Sequence, residues 1–283
     1  VIQDALLGLA PLPIPVLYTA LNDENPAGAL KISPDLQAHI TAAADYLIDE
    51  RGREAIAVLH ADTVDAEDGA DDFERIAGAD AIALRAVHAA DETNFETTAR
   101  DVRDSGADAA FIWTLDAPGR SLLRALKDVG WAGLIVYMGV DDAFIGSSPE
   151  LTELGGLLTP YAWWPQAANP ATRVFLKRMN DAGEAAEINS AAYYDMIALI
   201  ADSLRRTETV TRTSLGGANI EGVLGEYVNG RPTNVLLFQT DVQAGLPYTM
   251  WEAARYVGSE CLTCPDYFTA DTASVDEARE ALF

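Results

Sequence analysis

Lysine is nearly missing from this chain: Lys31, Lys127 and Lys177 are the only three in 283 residues. With the arginines they make 19 basic side chains against 44 acidic ones, a net charge of −25. A field of that sign repels nucleic acid and anionic lipid and argues against any phosphate-backbone partner. Self-repulsion of this size is relieved by ionic screening. Composition is compatible both with an acidic surface that keeps the protein dissolved and with life in high salt.

Cysteine is as scarce. Cys261 and Cys264 form one C-x-x-C pair. A zinc site needs about four ligands, and His39, His60 and His88 lie far away in sequence. A redox C-x-x-C opens a helix after a strand, whereas this pair sits between Gly258-Ser259-Glu260 and Pro265. A small local disulfide is the reading taken, ahead of free thiols, with redox or metal chemistry behind both. No apolar run reaches the roughly 18 residues of a membrane-crossing helix. The opening segment, residues 1–21, carries Asp4 and three prolines and lacks a basic flank, so it does not read as a signal peptide. The chain also shows no glycine-rich phosphate loop, no nucleophile set beside a base and no metal-ligand spacing. A non-catalytic protein without cofactor is the expectation.

What the chain does have is regular alternation. From Ser33 to Gly139, short apolar strands alternate with amphipathic helices, which predicts an α/β fold with a parallel sheet covered on both faces. Strands are predicted near 55–59, 81–87, 109–113, 134–138 and 157–161, after a first one at 14–17. Helices are predicted from Pro34, between Gly69 and Gly78 behind an acidic loop, and over 94–105, 118–129, 170–182 and 189–206. Another is predicted over 219–227, a strand pair over 235–256, and a short capped helix at 274–282. Ligands of such sheets bind at the carboxyl ends of the strands. Here those ends carry Asp62 and Thr63, Trp113 and Asp116, and Asp141 and Asp142.

Several ordered motifs carry a family likeness. They are Ile14-Pro15-Val16-Leu17, Ser33-Pro34-Asp35-Leu36-Gln37, Ala44-Asp45-Tyr46-Leu47 and the strand from Ala55 to His60. Asp91-Glu92-Thr93-Asn94-Phe95, Ala107-Asp108-Ala109-Ala110-Phe111, and Leu122 to Leu126 with Gly130 follow. Asn169-Pro170 with Phe175 and Tyr194-Asp195 with Ala198-Leu199 complete the series. In this order the chain resembles the type I periplasmic solute-binding proteins of ABC importers, in particular the branched-chain amino acid and amide-binding group.

The resemblance implies two α/β lobes joined by three crossings and closing on a ligand by a hinge. Lobe 1 would hold residues 1–32 and 158–234, and lobe 2 residues 33–157 and 235–283. Family members open lobe 1 with a βαβαβ unit. This chain starts near the end of that unit, so the resemblance implies an incomplete lobe 1. The implied function is capture of an amino acid or small amide for an ABC permease by a monomer in the periplasm or outside the cell, with a lipoprotein anchor allowed.

Candidate ligand residues follow from the same likeness. Asp141 falls where the family holds the ligand's ammonium group, a role a carboxylate fills by charge-assisted hydrogen bonds. Its alternative is a cap for the next turn, with Asp142 in its place. Asn22 stands at the family's small hydroxyl position, and is equally a turn residue. Asp62 and Thr63 lie where an aromatic normally follows a few positions on; here the stretch is Val64-Asp65-Ala66-Glu67, and a solvated loop explains it as well. Trp113 is a pocket wall or plain core; Asp116 is a ligand group or a cap for the helix at Pro118. Tyr161, Trp163 and Trp164 suit a pocket or hinge packing. Tyr194 faces the cleft or the core. The rival reading is a Mg²⁺-dependent phosphoryl-transfer enzyme using Asp62, Asp116 and Asp141. A ligand-sensing regulatory domain of the same fold is the third.

Overall fold

The computed structural model describes residues 16–18, 29–32, 36–138, 157–161, 163, 170–228, 231–232, 234–240, 250–257 and 260–263. The chain divides into two compact units. One holds Val1–Ala38 and Ala162–Val235, the other His39–Tyr161 and Leu236–Phe283.

The second unit is built on one mixed sheet. Its parallel part runs β7 (Leu157–Tyr161), β6 (Leu134–Tyr137), β5 (Ala109–Trp113), β3 (Ile56–Ala61) and β4 (Ile82–His88). All four pairings among these five strands are parallel. β3 and β5 are buried at every residue, as central strands covered on both faces must be. β4 is the edge, and its burial alternates. On the other side β11 (Asn234–Thr240) joins β7 antiparallel, followed by β12 (Met250–Val257) and β13 (Glu260–Thr263).

Helix α1 (Leu36–Asp45) leads into β3 and ends in a π turn over Tyr46–Glu50, and α2 (Val64–Ala77), α3 (Glu96–Asp104) and α4 (Asp116–Asp128) connect the parallel strands. α2 buries Ala66, Gly69, Ala70 and Phe73, one stripe at helical spacing, and Phe73 stacks on Phe111 of β5 with ring centroids 4.2 Å apart. Leu122, Leu123 and Leu126 do the same for α4, which is stopped by Gly130 at φ +71°, a conformation that suits glycine.

In the first unit, β1 (Val16–Tyr18) and β2 (Ala29–Lys31) form a parallel pair. Helices α5 (Pro170–Ala182), α6 (Ile188–Thr207) and α7 (Arg212–Leu215) precede a three-stranded antiparallel sheet of β8 (Ile220–Gly222), β9 (Gly225–Val228) and β10 (Arg231–Pro232). α6 starts in a reciprocal cap between Glu187 and Ser190.

Four sequence expectations change. The helix expected over 219–227 is the β8–β9 hairpin. Gly222 and Gly225 weaken a helix, and the burial of Gly225–Val228 alternates with period two. The acidic loop after Asp62 is helix from Val64 onward, because Asp65 and Glu67 in its first turn suit the positive end of the helix dipole. α4 begins at Asp116, two residues ahead of Pro118, and its cap position is Leu115. The stretch expected as a tail around Cys261 contains β13. The helix expected at 274–282 lies outside the described residues.

Candidate functional site

Because the five strands are parallel, their carboxyl ends lie along one edge of the sheet. That edge carries Tyr161, Tyr137, Trp113, Ala61 and His88 at the ends of β7, β6, β5, β3 and β4. Asp62 and Thr63 follow β3, Thr114 follows β5, and Asp116 begins α4 two residues later. Asp62, Thr63, Trp113, Asp116 and Tyr161 are therefore brought to one edge. Asn22, Asp141, Asp142, Trp164 and Cys264 lie outside the described residues.

Asp62 and Thr63 are exposed, and their backbone is fixed: the Asp62 amide donates to the His88 carbonyl at 2.7 Å and the Thr63 amide to that of Ala61 at 2.9 Å. Leu115, at the cap position of α4, adds an apolar side chain 54% exposed.

Trp113 is packed instead of open. Its side chain is buried, and a Cβ placed on Gly69 would fall 1.8 Å from its Cζ3. The missing side chain at Gly69 is what lets α2 approach the indole, and the ring meets Phe111 edge-on at 6.4 Å.

His88, the last residue of β4, organises this edge. Its Nδ1 lies 2.9 Å from the Ala89 carbonyl and its Nε2 2.8 Å from Thr114 Oγ1. A carbonyl only accepts, so the proton sits on Nδ1, and in the neutral ring Nε2 accepts from the Thr114 hydroxyl. Burial pushes the His88 imidazole pKa down from its usual value, and nearby His60 adds to this against the pull of the Ala89 carbonyl. Thr114 is held a second time, its carbonyl accepting from the Tyr137 hydroxyl. His60 repeats the pattern: Nδ1 lies 3.0 Å from the Ala61 carbonyl and Nε2 accepts from Arg85 Nε at 3.2 Å. Arg85 is anchored on α2 by Asp71 at 2.6 Å.

In the first unit Tyr194 is half-buried between α5 and α6, edge-on to Phe175 at 5.3 Å. The Arg178 guanidinium lies over its ring at 5.5 Å and donates to its hydroxyl. The neighbouring Asp195 is fully buried and accepts from the Val223 amide at 2.7 Å, the Leu224 amide at 2.8 Å and the Tyr227 hydroxyl at 3.1 Å. Trp163 is also buried, its Nε1 donating to Thr172 Oγ1 at 2.9 Å. Asp195 was legible only as half of a Tyr-Asp motif; its position on the inward face of α6 was the available signal.

Among the described residues no group of three His, Cys, Asp or Glu side chains could hold a metal ion, and no helix is long and apolar enough to cross a membrane. Chemically the edge offers carboxylates, hydroxyls and an apolar side chain, the components of a polar-ligand subsite.

A model of the periplasmic binding protein family matches residues 9–243, and the chain belongs to that family. Solved structures share the fold at low identity. One is a solute-binding protein of an ABC transporter from Rhodopseudomonas palustris HaA2 in complex with p-hydroxybenzoic acid: 18% identity, 95% of this chain and 77% of that one covered, TM-score 0.70. A leucine-binding protein from Thermotoga maritima MSB8 matches at 18% identity over 89% of this chain and 76% of that one, TM-score 0.67. A branched-chain amino acid ABC transporter periplasmic ligand-binding protein from Burkholderia xenovorans LB400 reaches TM-score 0.74 at 12% identity over 91% and 74%. No curated protein matches the sequence.

Proposed function

We propose that this protein is a non-catalytic solute-binding protein of an ABC importer, working outside the cytoplasmic membrane and delivering a small polar molecule to a permease. The two compact units are taken as its two lobes, closing on ligand by a hinge. The observation that carries the reading is the edge at the carboxyl ends of five parallel strands, where Asp62 and Thr63 follow β3, Asp116 begins α4, and His88 is hydrogen-bonded to Thr114, in a chain of this family. An amino acid or small amide is the ligand class. Asp141, with Asp116 close behind β5, is assigned the ligand's ammonium group, and Asn22, Tyr161 and Tyr194 are assigned to the rest of the pocket. Cys261 and Cys264 are assigned a local disulfide.

A second reading is a hydroxylated aromatic acid, since one structural neighbour holds p-hydroxybenzoic acid. A thermal-shift screen decides between the two classes, because a ligand bound only by the native state raises Tm by mass action. Amino acids and amides are expected to raise Tm, and Asp141→Ala to abolish the rise. A rise with hydroxybenzoates alone moves the assignment to aromatic acids. A rise with Mg²⁺ alone would replace the binding-protein reading by the phosphoryl-transfer enzyme.

A further inference from the structure

The chain passes between the two units three times, at residues 38/39, 161/162 and 235/236. One buried hydrogen-bond chain in the first unit reaches the neighbourhood of all three. It starts at Trp163, next to the second connection, whose Nε1 donates to Thr172 Oγ1 at 2.9 Å. Thr172 Oγ1 lies 3.4 Å from the Val223 carbonyl as its donor. The amides of Val223 and Leu224, the two turn residues of the β8–β9 hairpin, both donate to the Asp195 carboxylate. Tyr227 Oη lies 3.1 Å from Asp195 Oδ2 and 3.2 Å from the Ile32 carbonyl. Ile32 directly follows β2 ahead of the first connection, and Tyr227 pairs with Pro232 of β10 just ahead of the third. Ile32, Trp163, Thr172, Asp195, Val223 and Tyr227 are all buried.

A dry carboxylate is a costly way to hold a hairpin, since its desolvation is repaid only by full hydrogen bonding, and its best-attested use is to fix register. Here the carboxylate accepts three hydrogen bonds and the room is closed. A Cβ on Gly222 would meet Asp195 Oδ2 at 2.6 Å and Tyr227 Cε2 at 2.7 Å. The single Tyr227 proton is shared between two acceptors, which couples the carboxylate to the end of β2.

We propose that Asp195 is a positioning residue for interdomain motion: through the Val223–Leu224 turn, Thr172 and Tyr227, it holds the first-unit ends of all three connections as one rigid anchor. The first crossing lies within α1 and the third within β11, so a fixed base beneath these elements makes the units reorient along one path. Only the consequence for ligand capture rests on the solute-binding reading.

The test reads the anchor without any ligand. Spin labels at Arg173→Cys and Asp101→Cys, one exposed site in each unit, are introduced with Cys261→Ser and Cys264→Ser, and distance distributions are measured by pulsed dipolar spectroscopy. Tyr227→Phe keeps the ring and removes the shared proton; it is the decisive variant if Asp195→Asn fails to fold. Ser203→Ala breaks a buried contact in the same unit, the pair Ser203 and Ser214, which lies off the chain, and serves as the control for plain destabilisation. The expected result is a distribution at least about twofold broader in Tyr227→Phe and Asp195→Asn, and unchanged width in Ser203→Ala despite a lowered Tm. Equal widths in all variants overturn the anchor, as does equal broadening by the control. Failure of every ligand to shift the wild-type distances would overturn the solute-binding reading, while the ligand-free widths still decide the anchor.

Discussion

The close approach of Gly69 to Trp113 in the second unit gives a sharp prediction. Gly69→Ala adds one methyl group in the middle of α2. By helix propensity alone it would stabilise by about 1 kcal/mol. The structure forbids that gain: the new Cβ would lie 1.8, 2.4 and 2.7 Å from three atoms of the Trp113 six-membered ring. That ring is pinned between α2 and Phe111 and has no flexible end to yield. Overpacking of this kind costs about 1–3 kcal/mol and here must also cancel the propensity gain. Trp113→Phe removes the clashing atoms and leaves a cavity costing about 1–2 kcal/mol, below the full aromatic-to-alanine range. In the double variant the methyl group fills part of that cavity. The two changes therefore couple favourably by about 1–3 kcal/mol instead of adding. Urea unfolding followed by circular dichroism measures all four proteins, provided the slope m stays constant. Stabilisation by Gly69→Ala alone, or additivity within about 0.5 kcal/mol, would refute the packing argument. The series also separates packing from recognition: Trp113→Phe is expected to lower stability without changing which ligand raises Tm.

Other outcomes follow from charge and burial. Raising KCl from 0.1 to 1 M shortens the Debye length from about 10 to about 3 Å and is expected to raise Tm, because unscreened like charges about 10 Å apart repel by about 0.4 kcal/mol per pair in water. A Tm independent of KCl would remove self-repulsion from the account of a chain carrying −25. Burial holds the Asp195 carboxyl above its usual value, opposed by its three donors. The folded state therefore keeps that proton more tightly than the unfolded one, and this contribution is largest below pH 3.8 and declines as pH rises through the folded value. Urea stability of Asp195→Asn against pH is expected to fall less between pH 3.5 and 7 than that of the wild type; parallel profiles would show the group to be unperturbed. The depressed His88 works in the opposite direction, since stability is lost as pH falls below about 6.5. His88→Asn is expected to flatten the acid-side loss, at a cost of about 1–2 kcal/mol near pH 8 from the lost Thr114 bond.

Much of the second unit was legible from local pattern. Short apolar runs such as Ala109–Trp113 suit a strand buried on both faces, and the stripe Leu122, Leu123, Leu126 with Gly130 behind it suits a helix that stops there. Alternation then points to a parallel sheet, and with it the edge along which Asp62, Trp113 and Asp116 are placed. The hairpin over 220–228 was not legible, because its turn is held by a carboxylate 28 residues earlier in the chain. The role of Trp113 was equally hidden: a tryptophan at a strand end reads as a pocket wall until a glycine 44 residues away is seen pressed against it.

Sequence by itself determined what depends on periodicity and sums: the α/β class, the order of elements, the excess of negative charge and the edge on which to look. Only the tertiary structure decided which polar groups are satisfied by which. His88 with Thr114, and Asp195 with the Val223–Leu224 turn and Tyr227, are pairs between residues far apart along the chain. Hydrogen bonds carry no periodic trace in sequence, because they require distance and direction that exist only once the chain has packed.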